Sequence, residues 1–402
     1  MRRLPTCLAA LLLWACSGPE PQQAPPVQFS VPEVQIPPAG GTVDVSVFTG
    51  TEWVVSEVTG DWLTAKRKNV AVLTVGASLN AEGRRRTGSV RVSCNGQSAE
   101  LPVSQEYDAS SIAVSREAFI SGITAKCDFI TTVTDRTYTD IDEGCTAYRF
   151  TTTGPVNGVE SPLALYLFVV DLSSGVSLAA TCVDDDPANI TLTDAVTAKR
   201  QTIRQQLAAL QGKRPGLRVL GGVNGDFYLI ARNNLLQGVF HQNGVCIKDT
   251  FDGGSICSVF ALMEDGTARV VTQAEYPSAR ASIREAVGGR QVLLRSGQVM
   301  SSDATLEPRT AAGVSMDGKT VYLLAVDGRW EGWSVGASYP MLANILLGAG
   351  AYDAINLDGG GSTTFVVRSG NDASVASFTT WNRPSDSKDR AVVNGLAIVR
   401  SR

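Results

Sequence analysis

The chain has 402 residues, 44% hydrophobic and 18% charged, a length that calls for two or three domains rather than one core. Lys and Arg number 35 against 39 Asp and Glu, and the net charge of −4 excludes the basic footprint of a nucleic-acid-binding protein. With His241 as the single histidine, no multi-histidine metal centre can be built. The local run Arg84-Arg85-Arg86 reads as a solvated loop.

Arg2 and Arg3 precede an apolar stretch, Leu8 to Ala15, which reads as a secretory signal. Leu13-Trp14-Ala15-Cys16 resembles the lipobox of bacterial lipoproteins, with a bulky Trp14. The expectation is a signal peptide over 1–15, lipid on Cys16 and a low-complexity tether over 16–26. It makes the chain an exported lipoprotein of the outer membrane, at the periplasmic face or the cell surface. No later stretch approaches the roughly 20 apolar residues of a membrane helix. The chain is anchored, not spanning.

Residues 27–107 alternate apolar and polar positions, as at Val43, Val45 and Val47 or Val90 and Val92, with turns at Gly40-Gly41 and Asn95-Gly96. This predicts a small antiparallel sandwich of immunoglobulin type. Gly40-Gly41, Trp53, Trp62-Leu63, Asn80, Arg86-Thr87-Gly88 and Val103-Ser104-Gln105 resemble a BACON domain. That resemblance implies a spacer or a glycan-binding unit; Trp53 and Trp62 are placed in the core and the module is read as a spacer.

From 108 to 402 the pattern mixes strands with few helices. Thr193 is a candidate cap for a helix through Leu210, with Val196, Ile203, Leu207 and Leu210 on one face. Ser338 caps a second, with Met341, Leu342, Ile345 and Leu346 inward and Gly348 and Gly350 at its end. Strand-like runs include Leu163–Val170, Leu217–Leu220, Ala268–Val271, Val321–Val326 and Ala391–Val399. The fold class is therefore multidomain: an all-β immunoglobulin-like sandwich, then an α+β domain with mixed sheets and few helices. Beyond Cys7 and Cys16 six cysteines remain, and Cys127/Cys145 and Cys246/Cys257 are close enough to pair in an oxidising compartment. His241 is read as structural, and Asp184-Asp185-Asp186 as a solvated loop rather than a calcium site.

Three polar clusters end apolar runs: Asn224-Gly225-Asp226-Phe227, Pro308-Arg309-Thr310 with Asp327-Gly328-Arg329, and Asn356-Leu357-Asp358-Gly359-Gly360-Gly361-Ser362. Strand ends on a rigid scaffold are where sites are built. Three glycines in a row free the backbone, and their N–H groups can close on an anion beside Asp358.

These clusters, with Asn382-Arg383-Pro384-Ser385-Asp386 and Arg390-Ala391-Val392-Val393-Asn394-Gly395, resemble the phosphodiester glycosidase family over roughly residues 215 to 400. The family usually carries a glutamate on the helix before its glycine signature, where this chain has Met341. The resemblance implies hydrolysis of sugar-1-phosphodiesters at the anomeric C–O bond, with a glycan or sugar-phosphodiester as partner. It calls for no cofactor and leaves a divalent metal open. Such a reaction expels a phosphomonoester, which needs little protonation, so the site must neutralise phosphate charge and stabilise an oxocarbenium-like carbon. Asp358 is the first candidate for nucleophile or base, followed by Asp226 and Asp327. Arg309 and Arg329 are expected to fork onto phosphate. Asn224, Thr310, Asn356, Gly359, Gly360, Gly361, Ser362 and Asp386 complete the substrate set, and Trp330, Trp333 and Trp381 can wall a sugar ring. Each has a plainer rival: Arg309 and Arg329 paired with Asp226 or Asp327, Asn224 and Asn356 as strand caps, Asp386 as a turn residue, Trp330 and Trp333 as core. The alternative function is a non-catalytic lipoprotein that binds glycans or sugar phosphates.

Overall fold

The computed structural model describes residues 27–80, 85–107, 109–190 and 192–402, and over 109–115 only the backbone. The signal peptide, Cys16, the tether and Arg84 lie outside the described residues. The chain divides into two compact units, residues 1–115 and 116–402, and the helix Ala109–Thr124 spans the division.

The first unit is a β-sandwich. One sheet orders Gln28–Phe29, Gly41–Phe48, Val72–Ala77 and Leu63–Asn69; the other orders Val34–Ile36, Gln97–Gln105, Arg86–Cys94 and Val54–Thr59. Alternation along these strands buries Val45, Val47, Val75, Val90 and Val92 around Trp53. Trp53 is fully buried and donates its indole N–H to Val70 O at 2.8 Å, so it packs the core and does not face a ligand. The solvated reading of the basic run fails at Arg86. It is buried, donates to Gln105 Oε1 at 2.9 Å and to Ser78 O, and lies over Trp62. Mixed pairing occurs in this unit, where Val34–Ile36 runs parallel to Val103–Gln105.

In the second unit every described ladder is antiparallel. An eight-stranded sheet and a five-stranded sheet lie face to face. The eight-stranded sheet is ordered Gln298–Val299, Val292–Arg295, Asp353–Asn356, Arg309–Val314, Thr320–Val326, Val159–Asp171, Cys145–Val156, Thr132–Asp142. The five-stranded sheet is ordered Val176–Cys182, Asn394–Ser401, Leu217–Asn224, Phe365–Arg368, Phe378–Thr380. The strand Val159–Asp171 shows why its sequence is apolar at nearly every position. Tyr166, Phe168 and Val170 pack into the space between the two sheets, while Leu163, Leu165 and Leu167 face the helices on the outer side. The five-stranded sheet likewise covers its outer face, Val219, Val366, Ala397 and Val399, with Leu207 and Leu210 of a helix. The order of layers is helix, sheet, sheet, helix, and a third sheet built on Phe240–Gln242, Ser258–Met263 and Ile283–Gly289 stands beside them.

The helix expected from Thr193 starts only at Ile203 and runs to Lys213. Thr202 and Gln205 form a reciprocal capping box, Thr202 Oγ1 accepting from Gln205 N and Gln205 Oε1 accepting from Thr202 N. Two backbone donors are satisfied at once, a stronger start than Thr193, whose hydroxyl accepts from Ala195 N inside a turn. Val196 is consequently exposed. Thr202→Ala is expected to destabilise the second unit by about 1 kcal/mol, read as a lower urea midpoint with unchanged slope.

The helix Tyr339–Ala349 is capped by Ser338 as expected, with Met341, Leu342, Ile345 and Leu346 buried. Gly350 ends it in the left-handed region at φ 108°, whereas Gly348 lies inside it, where a side chain would strike the backbone of Ile123.

The six described cysteines are unpaired. Cys145 packs between the sheets and Cys127 among the helices on the other face, so the proposed Cys127/Cys145 bridge has the eight-stranded sheet in its way. Cys246 sits beside the Tyr276 hydroxyl and Cys257 beside Gln237 O, which separates the second pair. His241 is buried, meets Tyr276 Oη at 2.7 Å, and burial pulls its pKa down to about 4, so it stays neutral and structural. The acidic run is not simply solvated. Asp185 accepts from Arg214 Nη2 at 2.6 Å and Nε at 2.8 Å, and from Gln242.

Candidate active site

The three polar clusters converge because the strands that carry them belong to the two facing sheets and end on the same side. In the eight-stranded sheet Arg309 pairs with Val326, just before Asp327, and Ala311 pairs with Asn356. In the five-stranded sheet Asn224 pairs with Gly395 and Val223 with Phe365. Asn224 bridges the two sheets. Its Oδ1 accepts from Thr310 Oγ1 at 2.7 Å and Thr364 N at 3.0 Å, and its Nδ2 donates to Asp358 O at 2.6 Å. Asp358 N in turn donates to Gly225 O at 2.9 Å. The backbone of Asp358, which follows the strand Asp353–Asn356 of the eight-stranded sheet, is thereby tied to the end of the strand Leu217–Asn224 of the five-stranded sheet.

Asp358 keeps part of its surface exposed. Burial raises its pKa to about 6; the nearby Ser362 hydroxyl, the Gly359 N–H, and the charges of Arg390 and Arg290 act in the opposite direction. Asp226 is buried, with Oδ2 accepting from Gly238 N at 2.6 Å and its own N–H donating to Asn394 Oδ1 at 2.8 Å. Burial lifts it to about 7, opposed by the Gly238 N–H and Lys248 and reinforced by the negative charge of Asp358. The two carboxylates therefore feel one another. Asp226 needs Gly288 beside it, where a side chain would sit 2.5 Å from Oδ2.

The triple glycine is not an open nest of amides. Gly359 N donates to Asp358 Oδ1 at 2.9 Å and Gly360 N to Pro308 O at 2.8 Å. Glycine is required by space and conformation instead. A Cβ on Gly359 would lie 2.7 Å from Pro308 O, Gly360 has φ 59°, and a Cβ on Gly361 would run into the Arg390 guanidinium and lie 2.5 Å from Asp386 Oδ1. What the glycines admit is thus a close approach by Arg390, which is paired with Asp386 at 2.7 Å.

Asp327 has a different character. It accepts from Tyr166 Oη at 3.1 Å, Trp333 Nε1 at 2.9 Å, Asn382 Nδ2 at 3.2 Å and Arg383 N at 2.9 Å. Burial raises its pKa while these four donors oppose the rise. Both oxygens are engaged, and in this structure Asp327 ties loops together. Arg309 is likewise engaged by its neighbours. Its Nε donates to Ala337 O, its Nη2 to Thr305 O, and its face rests 4.3 Å from the Tyr339 ring; it pairs with neither Asp226 nor Asp327. Arg329, a left-handed residue, pairs with Glu307 at 2.6 Å and lies beside Gly360. Trp333 and Trp381 pack against the inter-sheet core, and Trp330 lies under Arg383 at 3.8 Å, so the tryptophans form no open wall. Met341 packs in the apolar cluster on the helical side of the eight-stranded sheet.

Buried polar atoms without a partner gather here: Asp226 Oδ1, Asn356 Oδ1, Asn394 Nδ2 and Thr363 Oγ1. Folding alone gives no reason to strand four such groups at one end of two sheets, and a polar function does. Arg290, Gln237 and Gly238 were not visible as site residues in the sequence; Gly288-Gly289-Arg290 at a strand end was the signal available. Among the described residues, no three His, Cys, Asp or Glu side chains are grouped to hold a metal ion.

Residues 218–399 match the family model of the phosphodiester glycosidases, NAGPA. Among solved structures, the catalytic domain of zebrafish N-acetylglucosamine-1-phosphodiester alpha-N-acetylglucosaminidase, auto-inhibited by its pro-peptide, is 19% identical. That match covers 68% of this chain and 89% of the other, with a TM-score of 0.48. A hypothetical protein from Synechocystis is 11% identical over 93% of this chain and 81% of its own, with a TM-score of 0.45. No curated protein matches the chain. The segment similar to phosphodiester glycosidases is the one that carries Asn224, Asp226, Asp327 and Asp358.

Proposed function

We propose that the chain is an exported glycosidase that hydrolyses sugar-1-phosphodiesters, N-acetylglucosamine-1-phosphodiesters among them, at the anomeric C–O bond, releasing free sugar and a phosphomonoester. The observation that carries this reading is the partly exposed Asp358, tied through its backbone to Asn224 and Gly225 and felt electrostatically by the buried Asp226, inside the segment similar to phosphodiester glycosidases. Asp358 meets the anomeric carbon or the water that attacks it. Asp226 lies behind it as a second proton site. Arg390, admitted by Gly361, lies where its positive charge acts on Asp358 and on a phosphate group bound beside it. A phosphomonoester leaves readily, since its second pKa is about 6. The N-terminal sandwich, of BACON type, is the spacer between this domain, residues 108–402, and a lipid anchor at Cys16.

The test is release of free sugar and mannose 6-phosphate from N-acetylglucosamine-α-1-phospho-mannose. If the ionised carboxylate is the working form, kcat/KM rises with pH through about 6 and levels above about 7. A profile flat from pH 5 to 8 would remove Asp358 from the reaction. Absence of release across several sugar-1-phosphodiesters would leave a binding protein. The same shifts carry a cost in stability. Both groups keep a proton in the fold at pH values where the unfolded chain, near 3.8, has lost it. Their contribution to stability therefore falls as pH rises from about 4 to about 7.

A further inference from the structure

Two guanidinium groups act on Asp358 through their charge, Arg390 and Arg290. They are held differently. Arg390 is paired with a carboxylate, Asp386. Arg290 is held by a neutral amide: Gln237 Oε1 accepts from Nε at 2.9 Å and from Nη2 at 2.5 Å. Its plane lies over the Phe227 ring at 4.4 Å. Its backbone is fixed as well, because Arg290 N donates to Asn356 O at 2.9 Å and Arg290 O accepts from Ser258 Oγ. A guanidinium orientated on three sides and given no anionic partner keeps its full charge for a ligand.

The support of Arg290 is continuous with that of Asp226. Gln237 holds Arg290, and the next residue, Gly238, donates its N–H to Asp226 Oδ2. This two-residue strap is itself anchored. Gly238 O accepts from the buried Lys248 Nζ at 3.0 Å, Gln237 O accepts from Asp252 N at 2.6 Å, and Gln237 N donates to Phe227 O at 2.9 Å. Lys248 is itself paired with Asp252 at 2.9 Å. One short segment thus sets the spacing between a carboxylate and a free cation.

We propose that Arg290 is the residue that binds the phosphate group at this site, and that Gln237 is the positioning residue that aims it while leaving its charge uncompensated. That this phosphate belongs to a substrate rests on the glycosidase reading; the anion site itself does not. It assigns the main phosphate contact to a residue outside the expected Arg309, which is buried, and Arg329, which is paired with Glu307; Arg290 keeps part of its surface exposed.

The experiment is calorimetric titration of inorganic phosphate into the purified chain and into Arg290→Met and Gln237→Glu, with melting curves and sugar-1-phosphodiester turnover measured on each. Arg290→Met is expected to weaken phosphate binding about tenfold or more. Gln237→Glu retains the arginine but gives it a carboxylate, and is expected to weaken binding by a similar factor and raise KM more than it lowers kcat. If Arg290→Met does not fold, Arg290→Lys decides, because it keeps the positive charge and loses the fork: weaker phosphate binding with unchanged melting is expected, and unchanged affinity overturns the proposal. Unchanged affinity in either folded variant, or no phosphate binding by the parent, overturns the proposal. Turnover with phosphate binding indifferent to Arg290 removes the inference and keeps the glycosidase. Arg290-dependent phosphate binding without turnover keeps the anion site and removes the reaction.

Discussion

Asp358→Asn is expected to lower turnover of a sugar-1-phosphodiester by about 10³-fold while leaving the melting temperature unchanged or raised. The two halves of that result have one cause. The fold holds the Asp358 backbone through Asn224 Nδ2 and Gly225 O, contacts that an asparagine preserves. It also keeps the carboxylate where burial raises its pKa to about 6, so ionisation at neutral pH works against the folded state. Asparagine removes the charge and with it both the chemistry and the cost, the usual trade between stability and activity at a site. A folded variant with parental turnover would move the reacting role to Asp226. Asp226→Asn is the companion measurement, since it keeps an oxygen for the Gly238 N–H and removes only the second proton site.

Asp327→Ala is expected to show the opposite pattern, a loss of about 3–5 kcal/mol in stability. Four donors converge on that carboxylate from Tyr166 in the eight-stranded sheet and from Trp333, Asn382 and the Arg383 backbone in the loops. Truncation leaves all four buried without an acceptor, the expensive way to break a hydrogen bond. Asp327→Asn keeps one acceptor oxygen and is expected to cost less. Urea unfolding of both variants decides the matter. If Asp327→Asn were as stable as the parent yet inactive, Asp327 would be a reacting group after all.

Much of the architecture was legible from local pattern. The period-two alternation of residues 27–107 specifies strands with one buried face, and these form the sandwich. Ser338 before an apolar helical stripe specifies the helix Tyr339–Ala349. The pattern failed where a local signal had a stronger competitor. Thr193 resembles a cap, but the box made by Thr202 and Gln205 satisfies two donors and starts the helix there. Cysteines close in sequence did not pair because a sheet separates Cys127 from Cys145.

At the site, the sequence by itself determined which segments end strands in Asp, Asn and Gly: Asn224 to Asp226, Asp327, and Asn356 to Ser362. Residue type and position along a strand are local properties, and a strand's end can be read without knowing its neighbours. Only the tertiary structure decided what each polar group does, because that depends on which donors and charges arrive from distant segments. Asp327 meets four donors and becomes a tie between loops, whereas Asp226 and Asp358 meet too few to offset their burial and hold protons near neutrality. Arg309 meets carbonyls, Arg329 meets Glu307, and Arg290 meets a neutral amide. A guanidinium carries the same charge in all three places; whether that charge remains for a ligand is set by the partner that folding brings to it.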